Sequence, residues 1–214
     1  TAGVLQWGMM NAGQNCAAIE RVYVEASIAD AFIQGLSQAA SKLRVGTDLG
    51  PLQNRAQLAL VEGHVRDAVE KGAKVITGGH SLPELGPYFY APTIITEVTD
   101  EMRMQKNEVF GPVVAIYGYD SVDEAVELAN ATTEGLNASV VGDVNQATQV
   151  AKKIMAGTVN INEGFRATFA SLDTPMGGMK NSGHGRRNGV DGLLKYTEAQ
   201  AIGIHRGLLE FPSR

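Results

Sequence analysis

The chain is poor in thiols, aromatic rings and positive charge, and each shortage removes a class of function. One cysteine, Cys16, stands among 214 residues, so no internal disulfide can form. Aromatic residues make up 6% and lie in no basic cluster, which leaves no platform for stacking nucleic-acid bases. Lys and Arg number 18 against 23 Asp and Glu, a formal charge of -5. That balance argues against nucleic acid or an anionic membrane surface as a main partner. No apolar run approaches the roughly 20 residues that span a bilayer. Thr1-Ala2-Gly3-Val4 has neither the basic region nor the apolar core of a signal peptide, and the cytoplasm fits best. The chain lacks an initiator Met and opens close to a motif, so it reads as cut from a longer polypeptide. His64, His80, His184 and His205 are far apart and Cys16 has no second thiol nearby, so no metal site is expected.

What is present is ample apolar mass. Hydrophobic residues make up 44%, enough for one sizeable core. Helical and strand patterns alternate, the signal for an α/β fold with a mostly parallel sheet and crossover helices. Ser27 and Asp30 resemble a capping box for a helix carrying Phe32, Ile33, Leu36 and Ala40. Leu58, Val61, Val65 and Ala68 repeat at helical spacing up to Gly72, and His64 falls on that helix's solvated side. Val75 to Thr77 reads as a short strand. Phe89 to Val98 is extended, with Pro92 demoting that part to an edge or bend. Val113 to Tyr119 reads as a buried strand, and Ser121 to Glu124 as a second capping box opening a helix. Ala138–Val141, Gln146–Met155 and Thr158–Ile161 form a βαβ unit. Lys195 to His205 is the expected closing edge strand.

Cys16 is either a small buried hydrophobe or a working thiol. Gly13 lets another group approach closely, and amides around a Gly turn can favour a thiolate and later hold an oxyanion. Glu108 precedes Val109-Phe110 and the rigid Gly111-Pro112 at the mouth of a strand, where ligands of open α/β folds gather; alone, it would pass for an exposed loop Glu. Gly183-His184-Gly185 with Gly189 misses the dinucleotide fingerprint and reads as a tight surface or substrate-side loop. Arg186-Arg187 could grip an anionic group, although a solvated pair at a helix start is the commoner reading.

Gly13-Gln14-Asn15-Cys16 followed by Glu20-Arg21 resembles the active-site cysteine segment of the aldehyde dehydrogenase superfamily. Glu108 to Pro112 is similar to that family's second signature. Gly50-Pro51-Leu52 and Pro175 to Gly183 complete the order, and the resemblance covers nearly the whole chain. It implies a catalytic domain over residues 1–195, a three-layer αβα sandwich, and a C-terminal strand and tail over 196–214 that pairs with another subunit. The partners implied are a small aldehyde, a second copy in a dimer or tetramer, and a Rossmann-type cofactor domain upstream. Cys16 would be the nucleophile, attacking the aldehyde and passing through thiohemiacetal and thioester. Glu108 would hold the ribose hydroxyls of NAD or NADP, and Phe110 would lie near the nicotinamide. The family's general base, in a Glu-Leu-Gly-Gly-Lys-like segment, has no counterpart here, so this 214-residue piece alone is expected to be inactive.

Val159 to Glu163, Pro175 to Lys180 and Gly185 to Arg187 are most similar to bacterial succinate-semialdehyde dehydrogenases of one subgroup. Better-known members carry Arg six residues before the Cys; this chain has Met10 there. Arg166 is the candidate to hold a substrate carboxylate, against a solvent-facing reading. Met10, Phe165, Phe169 and Met176 suggest a mainly apolar pocket, although Met and Phe are also ordinary core residues. Two rival classes are a different thiol enzyme, such as an acyltransferase or hydrolase, and a non-catalytic assembly module. The first would need a His base with an Asn or Asp partner, and no such partner is arguable.

Overall fold

The structure, a computed structural model, describes residues 1–207. Its centre is a four-stranded sheet ordered β1-β4-β3-β2, where β1 is Arg21–Glu25, β2 Lys74–Thr77, β3 Thr93–Thr96 and β4 Val113–Tyr119. β1–β4 and β4–β3 run parallel, and β2 closes one side antiparallel. The apolar run of β4 is explained by burial on both faces. Val113, Ala115 and Tyr117 join Ile95 of β3 against Val61, Val65 and Ala68 of α3, Arg55–Glu70. Val114 and Ile116 join Ile94 against Leu36 and Ala40 of α2, Ala29–Ala40, and against Met9 at the end of α1, Ala2–Met9. Helices therefore cover both faces, giving the three-layer αβα arrangement.

α4, Arg103–Lys106, lies between β3 and β4, and α5, Val122–Asn130, follows β4. Ser121 caps α5 by accepting from the Glu124 N–H at 3.2 Å, while Glu124 Oε2 accepts from the Asp120 N–H at 2.8 Å. Beyond it, β6 (Asn137–Val140), α6 (Val144–Ala151) and β7 (Thr158–Ile161) form a βαβ unit with its strands parallel. β5 (Glu134–Gly135) pairs antiparallel with β8 (Met179–Lys180), with α7, Arg166–Ala170, before β8 and α8, Gly189–Leu194, after it.

Four expectations fail here. Pro92 does not demote its segment: it stands one residue before β3, which lies inside the sheet. A proline at a strand's entry removes no ladder donor. Ser27 does not cap α2; its hydroxyl bonds Glu25, and the helix starts without a side-chain cap. His64 is 2% exposed, because α3 packs beneath α4 as well as against the sheet. Lys195 to His205 forms no strand: Lys195 to Thr197 close a helical turn, and the chain then runs exposed to Gly207 with no ladder partner among the described residues. A strand exists only where its backbone groups are paired. The tail's last residues, 208–214, lie outside the described part. No helix among the described residues is long and apolar enough to cross a membrane.

Candidate functional site

The thiol is carried by an unusual backbone. α1 ends at Met9, and Asn11, Ala12 and Gly13 follow with φ of 55°, 55° and 70°. Each non-glycine residue in that region costs about 1–2 kcal/mol, so tertiary contacts must hold the turn. Gln14 supplies two: its Nε2 donates to the Pro51 carbonyl at 3.2 Å, and its Oε1 accepts from the Gln53 N–H at 2.8 Å. A Cβ on Gly13 would overlap the Gly111 carbonyl, so only glycine lets the two backbones touch. Asn15 Oδ1 accepts from the Ala17 N–H at 3.0 Å, folding the turn that leaves Cys16 exposed.

Cys16 and Glu108 line one cleft of about 1140 Å³, together with Glu20, Glu134 and Asn137. Glu108 is exposed at its rim, Val109 is buried beneath it, and Phe110 has φ of 52°. Partial withdrawal from water against the cleft wall pushes the Glu108 carboxyl above its ordinary value, with the nearby Glu134 charge adding to it. Val109 and Phe110 are gripped on their carbonyl side by Gln57 Nε2, at 3.2 and 2.9 Å.

The proposed pocket residues form a second group. Phe165 is 5% exposed and packs with Trp7 and Ala17, directly behind the thiol turn. Its ring meets Phe169 edge-on at 6.0 Å, and Phe169 is 42% exposed. Arg187 joins them: its guanidinium lies 5.9 Å from the Phe169 ring centroid, and Nη2 donates to Met176 Sδ at 3.0 Å. Arg187 stays exposed, as the solvated-pair reading expects, yet both arginines are engaged, since Arg186 Nη1 also donates, to the Gly178 and Gly185 carbonyls. Met10 is 40% exposed at the end of α1 and lines no part of the cleft. Arg166 is exposed and pairs with Glu163 at 3.3 Å.

Asn137 connects the two groups. Its Nδ2 donates to the Ala17 carbonyl at 3.2 Å and the Gly164 carbonyl at 3.0 Å. Its Oδ1 accepts from Thr158 Oγ1 and Asn160 Nδ2, both at 2.9 Å. Asn137 does not stand out in the sequence, and Glu20 appears there only as part of the motif after Cys16, because the partners of both are distant. Among the described residues no group of His, Cys, Asp and Glu is placed to hold a metal ion.

Residues 1–202 match the model of the Aldehyde dehydrogenase family. The chain belongs to the aldehyde dehydrogenase family. It is 51% identical over 203 residues to a Mycobacterium ulcerans protein named as an NADP(+) succinate-semialdehyde dehydrogenase, covering 92% of this chain and 39% of that relative. It is 39% identical over 209 residues to the mitochondrial succinate-semialdehyde dehydrogenase of Arabidopsis thaliana, covering 94% and 38%. Among solved structures, the NAD+ complex of a Bacillus cereus aldehyde dehydrogenase superposes with a TM-score of 0.88 at 36% identity, over 96% of this chain and 43% of the other. A Burkholderia pseudomallei succinate-semialdehyde dehydrogenase gives 0.84 at 37% identity, over 91% and 41%. The chain thus spans about two fifths of the length of these aldehyde dehydrogenases.

Proposed function

We propose that this chain is the thiol-bearing catalytic portion of an NAD(P)-dependent aldehyde dehydrogenase that oxidises an aldehyde, succinate semialdehyde by preference, to the acid. The observation that carries this reading is an exposed Cys16 sharing one cleft with Glu108. The Cys16 sulfur adds to the aldehyde carbon. The Cys16 N–H, engaged in no hydrogen bond among the described residues, donates to the resulting oxyanion. Glu108 presents two carboxylate oxygens, which suit a pair of ribose hydroxyls, and Phe110 supplies an aromatic face beside them. The nucleotide supplies the acceptor for the hydride that leaves the Cys16 thiohemiacetal. Water then releases the acid from the Cys16 thioester. With no Glu-Leu-Gly-Gly-Lys-like segment in these residues, this piece alone does not turn over.

A semialdehyde that ends in a carboxylate needs a cation at the far end of the pocket. Arg166 already has Glu163, whereas Arg187 has no carboxylate partner among the described residues and touches two pocket residues. Homo-oligomers are proposed through Ala199 to His205, where exposed Ile202 and Ile204 stand on unpaired backbone.

The test is made on the full-length enzyme. Cys16→Ala abolishes turnover, and unchanged turnover removes the thiol from the mechanism. Specificity constants for succinate semialdehyde and an uncharged aldehyde of similar length are then compared in Arg166→Ala and Arg187→Ala. Selective loss on the semialdehyde marks the anchoring arginine, and no selective loss in either rejects the carboxylate-bearing substrate.

A further inference from the structure

Glu20 lies four residues beyond Cys16, immediately before β1, and its carboxylate turns towards the Glu108 turn rather than to solvent. Oε2 accepts from the Val109 N–H at 2.9 Å and Oε1 from the Phe110 N–H at 2.8 Å, across sequence separations of 89 and 90 residues. The backbone of Glu20 is equally fixed, since its carbonyl accepts from the Ala115 N–H of β4 at 2.8 Å. With Gln57 holding the carbonyls of Val109 and Phe110 from α3, these two peptides are gripped on both sides. Phe110 meanwhile sits in a left-handed conformation that a bulky residue does not adopt unaided.

We propose that Glu20 is a positioning residue that locks the Glu108–Phe110 turn to the thiol segment. It thereby sets where the nucleotide-binding carboxylate stands relative to Cys16. The functional half of this inference rests on the nucleotide role of Glu108 given above; the structural half does not. A carboxylate suits the task better than an amide. It offers two acceptor oxygens in one plane to two consecutive N–H groups, and charge-assisted bonds are the stronger kind. Keeping it there is costly: burial raises its carboxyl above the ordinary value and the Glu108 charge adds to this, against the two N–H bonds and Arg21.

Glu20→Gln replaces two acceptors by one. In the folded chain the Val109 and Phe110 amides should exchange with solvent about tenfold faster, while the amides of β3 keep their protection as a control for the fold. Unaltered exchange at both amides overturns the lock. In the full-length enzyme the same variant should raise the KM for NAD+ or NADP+ about tenfold, with kcat at saturating nucleotide within about threefold. A nucleotide KM unchanged in Glu20→Gln but raised in Glu108→Gln overturns the positioning role. If Glu108→Gln also leaves that KM unchanged, the nucleotide role of Glu108 falls instead, and amide exchange alone decides the lock. Glu20→Asp keeps the charge but withdraws it by one methylene. It should give intermediate exchange, and it carries the same test if Glu20→Gln does not fold.

Discussion

The two sides of the thiol turn, the Glu108 turn on one and the Phe165, Phe169 and Met176 group on the other, are built differently. The Glu108 turn leads into β4, and its backbone is held by Glu20, Gln57 and the close approach of Gly13. By contrast, Phe165, Phe169 and Met176 sit on loops and the short α7, behind the thiol turn and outside the cleft lining, with Phe169 and Arg187 open to solvent. Under the proposed roles, a dinucleotide common to many reactions suits the rigid side, and an aldehyde that varies suits the side where substitutions disturb little else.

Core truncation should separate the two most clearly. Ile95 is fully buried between the layers, so Ile95→Ala should cost about 2–5 kcal/mol. Phe169→Ala, with its ring partly in water, should cost under about 1 kcal/mol while altering aldehyde preference. Denaturant titration measures both, and equal losses would erase the contrast. A smaller effect should appear where the sides meet. Asn137→Ala leaves the Ala17 carbonyl without a partner and takes one of several bonds from Thr158, Asn160 and the Gly164 carbonyl, for about 1–3 kcal/mol. It should also change the alkylation rate of Cys16. An Asn137→Ala variant as stable as wild type would show that water replaces the bridge.

The smallest effect is a pH dependence confined to the rigid side. Burial, reinforced by Arg103 and opposed by Asp67, holds His64 below its ordinary value of 6.5. The folded state therefore binds fewer protons there than the unfolded chain. Stability from neutral His64 is complete above about pH 6.5 and is lost as pH falls through the lowered folded value. The slope should stay below about 1.4 kcal/mol per pH unit and disappear in His64→Leu. A slope that persists in that variant assigns it to other groups.

Legibility followed the range of the interactions. Local patterns placed the strand of Val113 to Tyr119, the helix around Val61 and Val65, the Ser121 cap and the βαβ unit, since each depends on neighbours a few residues away. The expectations about His64, Ser27 and Pro92 failed where a distant or competing partner decided the outcome. His64 looks solvated until α4 closes over α3, and the contacts of Arg187 with Met176 and Phe169, made while it stays exposed, are equally invisible in the sequence.

By itself the sequence determined the class of fold, the family and the two motifs with the chemistry to matter, because side-chain type and spacing carry that information. Only the tertiary structure decided that Cys16 is reachable, that Glu108 shares its cleft, and that Glu20 and Asn137 tie the parts together. Those facts depend on which distant backbone groups need a partner once the chain has closed on itself, and a linear order of residues does not contain that.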